Sequence, residues 1–311
     1  MGELKAICIS EKRGIQKTEI PEAELLEGFG IAGDAHGGNW HRQVSLLGSE
    51  KIAEFRLKGA EVENGAFGEN LIIEGYDLRT LPVGTRFQIG EAVLELTQIG
   101  KECHSHCEIY KQMGDCIMPR EGVFTRVIRG GYIKRGDAVA LILPDADRPY
   151  TAAVITLSDQ GAVGKREDKS GPLIQEMLKE AGYEVVEALL LPDERVPLER
   201  QMIRLADQRQ VNLILTTGGT GFSVRDITPE ATIAVCDRMA SGIAEAIRAY
   251  SMTITKRAML SRGESGIRGG PLIVNLPGSP KAVQEALEYI LPELGHGLGI
   301  LRGTEKECAR K

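Results

Sequence analysis

The sequence predicts two domains of different fold class: an N-terminal β-barrel-like domain over 1–146 and a C-terminal α/β domain with a mostly parallel sheet over 147–311. Three observations carry this. The stretch "LPDADRPY" (Leu143 to Tyr150) puts two prolines and three charged residues between two β-like runs, which disfavours helix and ladder alike and reads as a linker. Before it, short alternating or β-branched segments dominate, most of them separated by glycine or proline. After it, strand-like runs alternate with longer amphipathic stretches, the pattern of a parallel sheet with helices on both faces.

In the first half the strands are expected in "KAICIS", "RQVSLLG", "ENLIIEG", "RFQIG", "AVLELTQIG", "VFTRVI" and "DAVALIL", with helical pattern mainly in "SEKIAEFRLKGAE". In the second half "AAVITLS", "YEVVEALLL", "VNLILTT" and "PLIVNLP" read as strands, and "GPLIQEMLKEAG", "LERQMIRLADQR" and "KAVQEALEYILPEL" as helices. No internal repeat or low-complexity segment interrupts either half.

Composition narrows the function classes. The chain is 42% apolar and 26% charged with a formal charge of -6, so it lacks the basic excess of a nucleic-acid partner. "MGELKAICIS" lacks the layout of a signal peptide, and Ala6 stands where a myristoylation signal needs Ser or Thr. No apolar run approaches the roughly 18 residues of a membrane span. Six cysteines are too sparse for a disulfide scaffold in 311 residues, so a reducing cytoplasm is the expected location.

Ligands of open α/β sheets collect beyond the carboxyl ends of the strands. Three motifs fall there: "TLSDQGAVGKREDKSGP", "TTGGTGFSVRDITPEAT" and "NLPGSPKAV". Each runs into a helix start, at Gly171-Pro172, Thr228-Pro229 and Ser279-Pro280, where free N–H groups and the helix dipole favour an anion. The glycine cluster is neither a Walker A motif nor a Rossmann fingerprint. Asp226 stands just beyond it and Asp193 closes another strand in "LLLPDE". Carboxylates beside bound phosphate call for a cation, so a magnesium-nucleotide is the expected guest. The plainer alternative has the glycines forming turns and the aspartates capping helices.

Together "LSD…D.SGP", "LPDE", "LTTGGTG…RD.TPEAT", "AMLSR…G" and "NLPGSPKAV" closely resemble the MogA/MoaB-type molybdopterin adenylyltransferases, from Thr151 to about Gly303. The resemblance implies the molybdopterin-binding fold and an enzyme in which the Thr-Thr-Gly-Gly loop cradles the pterin dithiolene. The pterin's terminal phosphate then attacks the α-phosphate of Mg²⁺-ATP, giving adenylylated molybdopterin and pyrophosphate. It implies Asp193 and Asp226 as catalytic carboxylates, Asp226 the better candidate for magnesium. It implies Thr217, Gly218, Gly219, Thr220, Gly221 and Ser261 as pterin-binding, faced by Asn275, Pro277, Gly278 and Ser279. A homotrimer is implied in the same way. One departure is Ser241-Gly242, where the family commonly has Pro-Gly.

The first half holds "GKECHSHCEIYKQMGDCIMPREG", in which Cys103, His104, His106, Cys107 and Cys116 invite either a zinc site or small buried thiols with surface histidines. With "GIAGDAHGG", "RQVSLLGSEKI", "GAFGENLIIEGYDLRTLPVGTRFQIGEAVLELTQIGKEC" and "GVFTRVIRGGYIKRGD", roughly Gly28 to Leu141 strongly resembles the MOSC domain of molybdenum cofactor sulfurases. That implies a β-barrel with a pocket for molybdopterin or its molybdenum form. Cys103 best matches the family's cysteine, able to carry sulfur or ligate molybdenum. Lys101, His104, Arg120, Arg126 and Arg129 are expected to favour its thiolate and attract a pterin phosphate, while Cys107 and Cys116 are structural or assist. The chain thus reads as a bifunctional protein of molybdenum cofactor biosynthesis, partnered by molybdopterin, ATP and other proteins of that pathway. The alternatives are a non-catalytic carrier of the cofactor and a molybdenum-dependent reductase of N-hydroxylated compounds.

Overall fold

The computed structural model describes residues 1–103 and 108–305, and the chain divides into two compact units, Met1–Asp145 and Ala146–Lys311. In the first, the strands are β1 (Gly2–Ile9), β2 (Thr18–Ile20), β3 (Glu22–Leu26), β4 (Gly30–Ile31), β5 (Val44–Gly48), β6 (Leu71–Glu74), β7 (Arg86–Ile89), β8 (Ala92–Ile99), β9 (Val123–Arg129), β10 (Gly131–Lys134) and β11 (Ala138–Ile142). The helices are α1 (Ser49–Leu57), α2 (Glu108–Met113) and α3 (Met118–Glu121).

Among the described residues, seven strands pair in the order β11-β7-β8-β9-β5-β6-β1, and β1 pairs with β11 to close a barrel. Strand β2 continues along β1 past β11, and β10-β3-β4 form a separate small sheet. The barrel fills with one residue of every two, as the period of a strand requires. Along β8, Ala92, Leu94 and Leu96 enter the core; the register then shifts between Leu96 and Gln98, so that Ile99 enters instead of Gln98. The bulge turns Gln98 out of the barrel at the exit toward Cys103, a use bulges often have beside functional sites. A second cluster, with Ala6, Cys8, Leu47, Ile52, Phe55, Phe67 and Cys116, is buried under α1.

The second unit contains β12 (Thr151–Leu157), α4 (Asp159–Ala162), α5 (Ser170–Glu180), β13 (Glu184–Leu191), α6 (Arg195–Ile203), β14 (Leu213–Thr217), α7 (Thr228–Val235), β15 (Arg238–Met239), α8 (Ser241–Ile254), β16 (Ser265–Ile267), β17 (Leu272–Leu276) and α9 (Pro280–Arg302). The sheet order is β13-β12-β14-β17-β16-β15; the first four strands are parallel, and β16 and β15 add antiparallel pairs at one edge. Alternation sorts the two faces. Ala152, Val154, Leu213, Leu215, Leu272 and Val274 pack with α5, α8 and α9, while Ala153, Ile155, Ile214 and Ile273 pack with α6 and α7. The helical reading of "LERQMIRLADQR" holds through Ile203, after which Arg204–Gln208 widen into a π turn.

Arg302, the last residue of α9, ties down the start of this unit. Its guanidinium donates to the carbonyls of Ala146 (3.2 Å), Arg148 (2.5 Å) and Pro149 (3.2 Å) and to Asn212 Oδ1 (2.9 Å). It also lies 4.1 Å from the centre of the Tyr150 ring. We expect a piece beginning at Ala146 to fold alone, and one beginning at Thr151 to unfold at a lower temperature, by about 2–4 °C per kcal/mol lost. Equal melting temperatures for the two pieces would show that the clamp is idle.

Candidate active site

The carboxyl ends of β12, β13, β14 and β17 lie on one edge of the parallel sheet, because the strands run in register from Thr151↔Glu184 to Thr217↔Leu276. The glycine cluster leaves β14 there. Gly218 and Gly219 both take positive φ (+96° and +64°), and a Cβ on Gly218 would sit 2.5 Å from the Leu157 carbonyl oxygen. The loop after β17 is equally close: a Cβ on Gly278 would lie 3.5 Å from the Gly218 Cα. The third loop joins them where Ser170 Oγ donates to the Gly278 carbonyl (3.0 Å). Asp168 Oδ1 accepts from the Ser170 and Gly171 amides (3.0 and 2.9 Å) and so caps α5. All three sequence-predicted loops therefore meet.

Within the meeting place the individual residues differ. Thr217 and Asn275 are buried. Thr217 Oγ1 donates to the Pro277 carbonyl (2.6 Å), while Asn275 Nδ2 donates to Thr216 Oγ1 (2.9 Å) and Thr232 Oγ1 (2.8 Å) and its Oδ1 accepts from the Glu264 amide (3.0 Å). Their side chains hold the loops in place. Ser279 Oγ accepts from the Ala282 amide (3.3 Å), capping α9. Arg262 braces the glycine loop, with its amide on the Thr220 carbonyl (2.9 Å) and its guanidinium on the carbonyls of Gly221 and Asp226 (2.6 Å each) and on Glu230. Its neighbour Ser261 lies beside Gly263, whose amide it accepts at 3.4 Å.

The carboxylates are three where the sequence pointed to two. Asp193 Oδ2 accepts from the Asp159 amide (2.9 Å), and Asp159 Oδ1 accepts from the Asp193 amide (3.0 Å). Arg225 grips Asp159 with two bonds of 3.0 and 2.6 Å. Asp226 turns back on its own loop, where its Oδ2 accepts from the Ser223 amide (2.8 Å) and lies 2.9 Å from the position of a Gly221 Cβ. The Arg225 guanidinium holds the Asp159 carboxyl below its ordinary pKa. Burial pushes Asp193 up, and the charges of Asp159 and Asp226 push the same way, against the Asp159 amide and Arg225. Asp159 and Arg225 were missed as site residues. The only trace of either was "LSD" at a strand end and the "RD" pair, neither of which says which side chains touch.

In the N-terminal unit Cys103 is exposed and follows β8, while Cys116 is buried under α1. Burial pushes the Cys8 thiol up to about 12 and that of half-buried Cys236 to about 11, so both are poor thiolates. His104, His106 and Cys107 lie outside the described residues, within which no three His, Cys, Asp or Glu side chains converge as metal ligands. Two cations expected near Cys103 have carboxylate partners. Arg120 pairs with Asp115 (2.8 Å) and Arg126 with Glu95 (2.7 Å), while Arg129 donates to the Glu91 carbonyl (2.6 Å). Lys17 Nζ lies 3.2 Å from His36 Nδ1, and the charges of Lys17, Arg13 and Lys101 help hold the His36 pKa below its ordinary value, after burial.

The raised pKa of Asp193 has a consequence for stability. Its ionised form weakens the folded state at neutral pH, and protonation removes that penalty as pH falls through the raised folded value toward 3.8. Asp193→Asn keeps the acceptor for the Asp159 amide and removes the charge. It should raise the melting temperature at pH 7, by an amount that solvent screening of a half-buried group keeps small, with the gain shrinking in acid. A loss of stability at pH 7, or a gain independent of pH, would contradict this account.

Comparison with known proteins now adds to the geometry. The family described as a probable molybdopterin binding domain matches residues 153–296, and the MOSC domain family matches residues 32–140. The molybdopterin adenylyltransferase of Helicobacter pylori is 40% identical over 160 residues, covering 51% of this chain and 91% of that protein. That of Escherichia coli K12 is 41% identical over 140 residues, 44% of this chain and 71% of its own length. Among solved structures, the molybdopterin biosynthesis enzyme MoaB of Thermus thermophilus matches 50% of this chain and 97% of its own at 43% identity, with a TM-score of 0.48. The chain therefore belongs, through its C-terminal half, to the molybdopterin adenylyltransferase family, and it carries a MOSC domain ahead of that half.

Proposed function

We propose that this protein adenylylates molybdopterin with Mg²⁺-ATP, releasing pyrophosphate, and that its MOSC domain binds the cofactor or carries its sulfur or metal through Cys103. The observation that carries the first part is the meeting of three strand-end loops around Gly218 and Gly278, with Asp159, Asp193 and Asp226 beside them. In this reading, backbone N–H groups of the glycine loop and of the starts of α7 and α9 receive the anionic groups of the two substrates. Thr217, Asn275 and Arg262 keep that backbone in place.

A magnesium ion suits the donors present. Asp193 and Asp226 offer hard oxygen ligands, and Asp193, raised first by burial and then by the charges of Asp159 and Asp226, is a carboxylate whose ionised form a cation would favour. Bound with the triphosphate, the ion would neutralise phosphate charge. We assign Asp226 to it first and Asp193 second. Arg225, exposed and already beside Asp159, supplies the nearby positive charge from the chain itself.

We further propose a cytoplasmic homotrimer assembled through the C-terminal half. Met252, Ile254, Met259 and Leu260 are all exposed on the end of α8 and the turn after it, and apolar exposure of this kind marks protein interfaces. Among the described residues no helix is long and apolar enough to cross a membrane.

Pyrophosphate release on mixing the protein with ATP and molybdopterin tests the enzyme reading; binding of the pterin without release would make the protein a carrier. Asp226→Asn should lower turnover by about a hundredfold or more while pterin binding persists. Unchanged turnover would remove Asp226 from the site. Cys103→Ser should strip molybdenum or persulfide sulfur from the purified protein and leave adenylyl transfer intact. One zinc ion per chain, lost equally on mutating Cys103, Cys107 or Cys116, would instead make the cysteines structural.

A further inference from the structure

The first unit contains a buried ion pair that neither the barrel nor Cys103 accounts for. Lys17 and Asp34 are both 1% exposed, and Lys17 Nζ donates to Asp34 Oδ1 at 2.6 Å. Removing two charges from water is costly, and replacing such a pair with apolar side chains is often neutral or stabilising, so a fold needs no such pair for stability alone. What the pair does hold is His36. Lys17 Nζ lies 3.2 Å from His36 Nδ1, within hydrogen-bond range, whereas Asp34 Oδ2 lies 3.6 Å from that nitrogen, outside it. An ammonium only donates. His36 Nδ1 must therefore accept, which leaves the ring proton on Nε2.

The backbone around this ring is stapled as firmly. Asp34 accepts from the Ser10 amide (2.9 Å) and the His36 amide (3.3 Å), the Ala35 amide donates to the Ser10 carbonyl (2.8 Å), and Trp40 Nε1 donates to the His36 carbonyl (3.1 Å). Arg13 Nε donates to the Ala35 carbonyl (3.0 Å), one residue before His36. The His36 side chain remains 35% exposed. Burial and the charges of Lys17, Arg13 and Lys101 hold its pKa below the ordinary value, against Asp34, which favours the neutral ring. Lys101 stands two residues before Cys103.

We propose that Lys17 and Asp34 lock His36 as an Nε2–H donor for a tetrahedral oxyanion, with Arg13 and Lys101 supplying the positive charge around it. The proposal rests on the reading of this domain as the one that takes the cofactor at Cys103. It names the group that would orient the cofactor's anionic oxygens there. His36 is a binding and positioning residue in this scheme. With Nδ1 held by Lys17, the neutral imidazole donates one directed hydrogen bond, from Nε2. Two sources share this chemistry, the phosphate monoester of a pterin and the oxo groups of a molybdate-like metal.

Equilibrium dialysis of the full chain against inorganic phosphate, and separately against molybdate, tests the proposal. Binding at the C-terminal loops is common to all variants and cancels in their comparison. His36→Ala should weaken binding of at least one anion about tenfold or more, the usual effect of losing a hydrogen bond to a charged group. His36→Gln, which can place an amide N–H where Nε2–H was, should restore most of it, and exposed Arg13→Ala should weaken it several-fold. Loss confined to phosphate assigns the site to the pterin end, and loss confined to molybdate assigns it to the metal end. The ¹⁵N spectrum of the imidazole should show Nδ1 unprotonated. Undiminished binding of both anions by His36→Ala, or a proton on Nδ1, would overturn the inference. If Cys103→Ser still loses its molybdenum or sulfur in that case, the cofactor reading of the domain survives and only the role of His36 falls.

Discussion

One buried amide holds the functional edge of the C-terminal domain together. Asn275 sits at the end of β17 and bonds at once to Thr216 on β14, Thr232 on α7 and the backbone at Glu264. Each of those partners is an element that starts or supports a loop of the site. Inside a protein such a network is costly when incomplete, since every unpaired buried polar group costs about 1–3 kcal/mol. With all three partners in place, the same cost makes alternative arrangements of the loops unfavourable. The strand ends are therefore rigid before any ligand arrives, and rigidity of this kind is what a backbone binding surface requires.

The glycine loop depends on that rigidity. Gly218 packs against the Leu157 carbonyl so closely that no side chain fits, and the Gly278 loop meets it from the opposite side. With Thr217 and Asn275 turned inward, their side chains are spent on the fold. This division of labour explains why buried and exposed residues of one motif have different physical roles. The charge balance follows a similar logic. Asp159 has Arg225 as its counter-ion, whereas Asp193 is partly desolvated and feels the charges of Asp159 and Asp226. The imbalance is local and unfavourable in the free protein.

The N-terminal domain uses a bulge and a buried ion pair where the C-terminal domain uses an amide. The register shift after Leu96 fills the barrel with Ile99 and frees Gln98 to bond with His41 and the Gly100 carbonyl on the way to Cys103. The Lys17–Asp34 pair fixes the turn that carries His36. In each case a polar group is held by buried partners.

Much of this was legible in the sequence, because it depends on local periodicity. Alternating residues predicted the barrel strands, strand–helix alternation predicted the parallel sheet, and Gly/Pro punctuation marked the three loops at its edge. Quoted together, the motifs around Gly218, Asp226 and Asn275 also carried the family resemblance. What the sequence could not show was which side chains would be used up in holding the fold. Asn275 and Thr217 are motif residues by spacing, yet they face inward, because residues far apart in the chain complete their hydrogen bonds. Asp159 and Arg225 are 66 positions apart and become a pair only when the loops after β12 and β14 meet. Arg120 and Arg126 look like free cations beside Cys103 until Asp115 and Glu95 are placed against them. Asp34 and His36 fall within "GIAGDAHGG", a stretch that carries the MOSC resemblance, but nothing in it points to Lys17 as their partner. Periodicity along the chain determined the elements and their order; which charges meet, and which atoms remain to face a ligand, was decided by contacts between distant segments that only the tertiary structure creates.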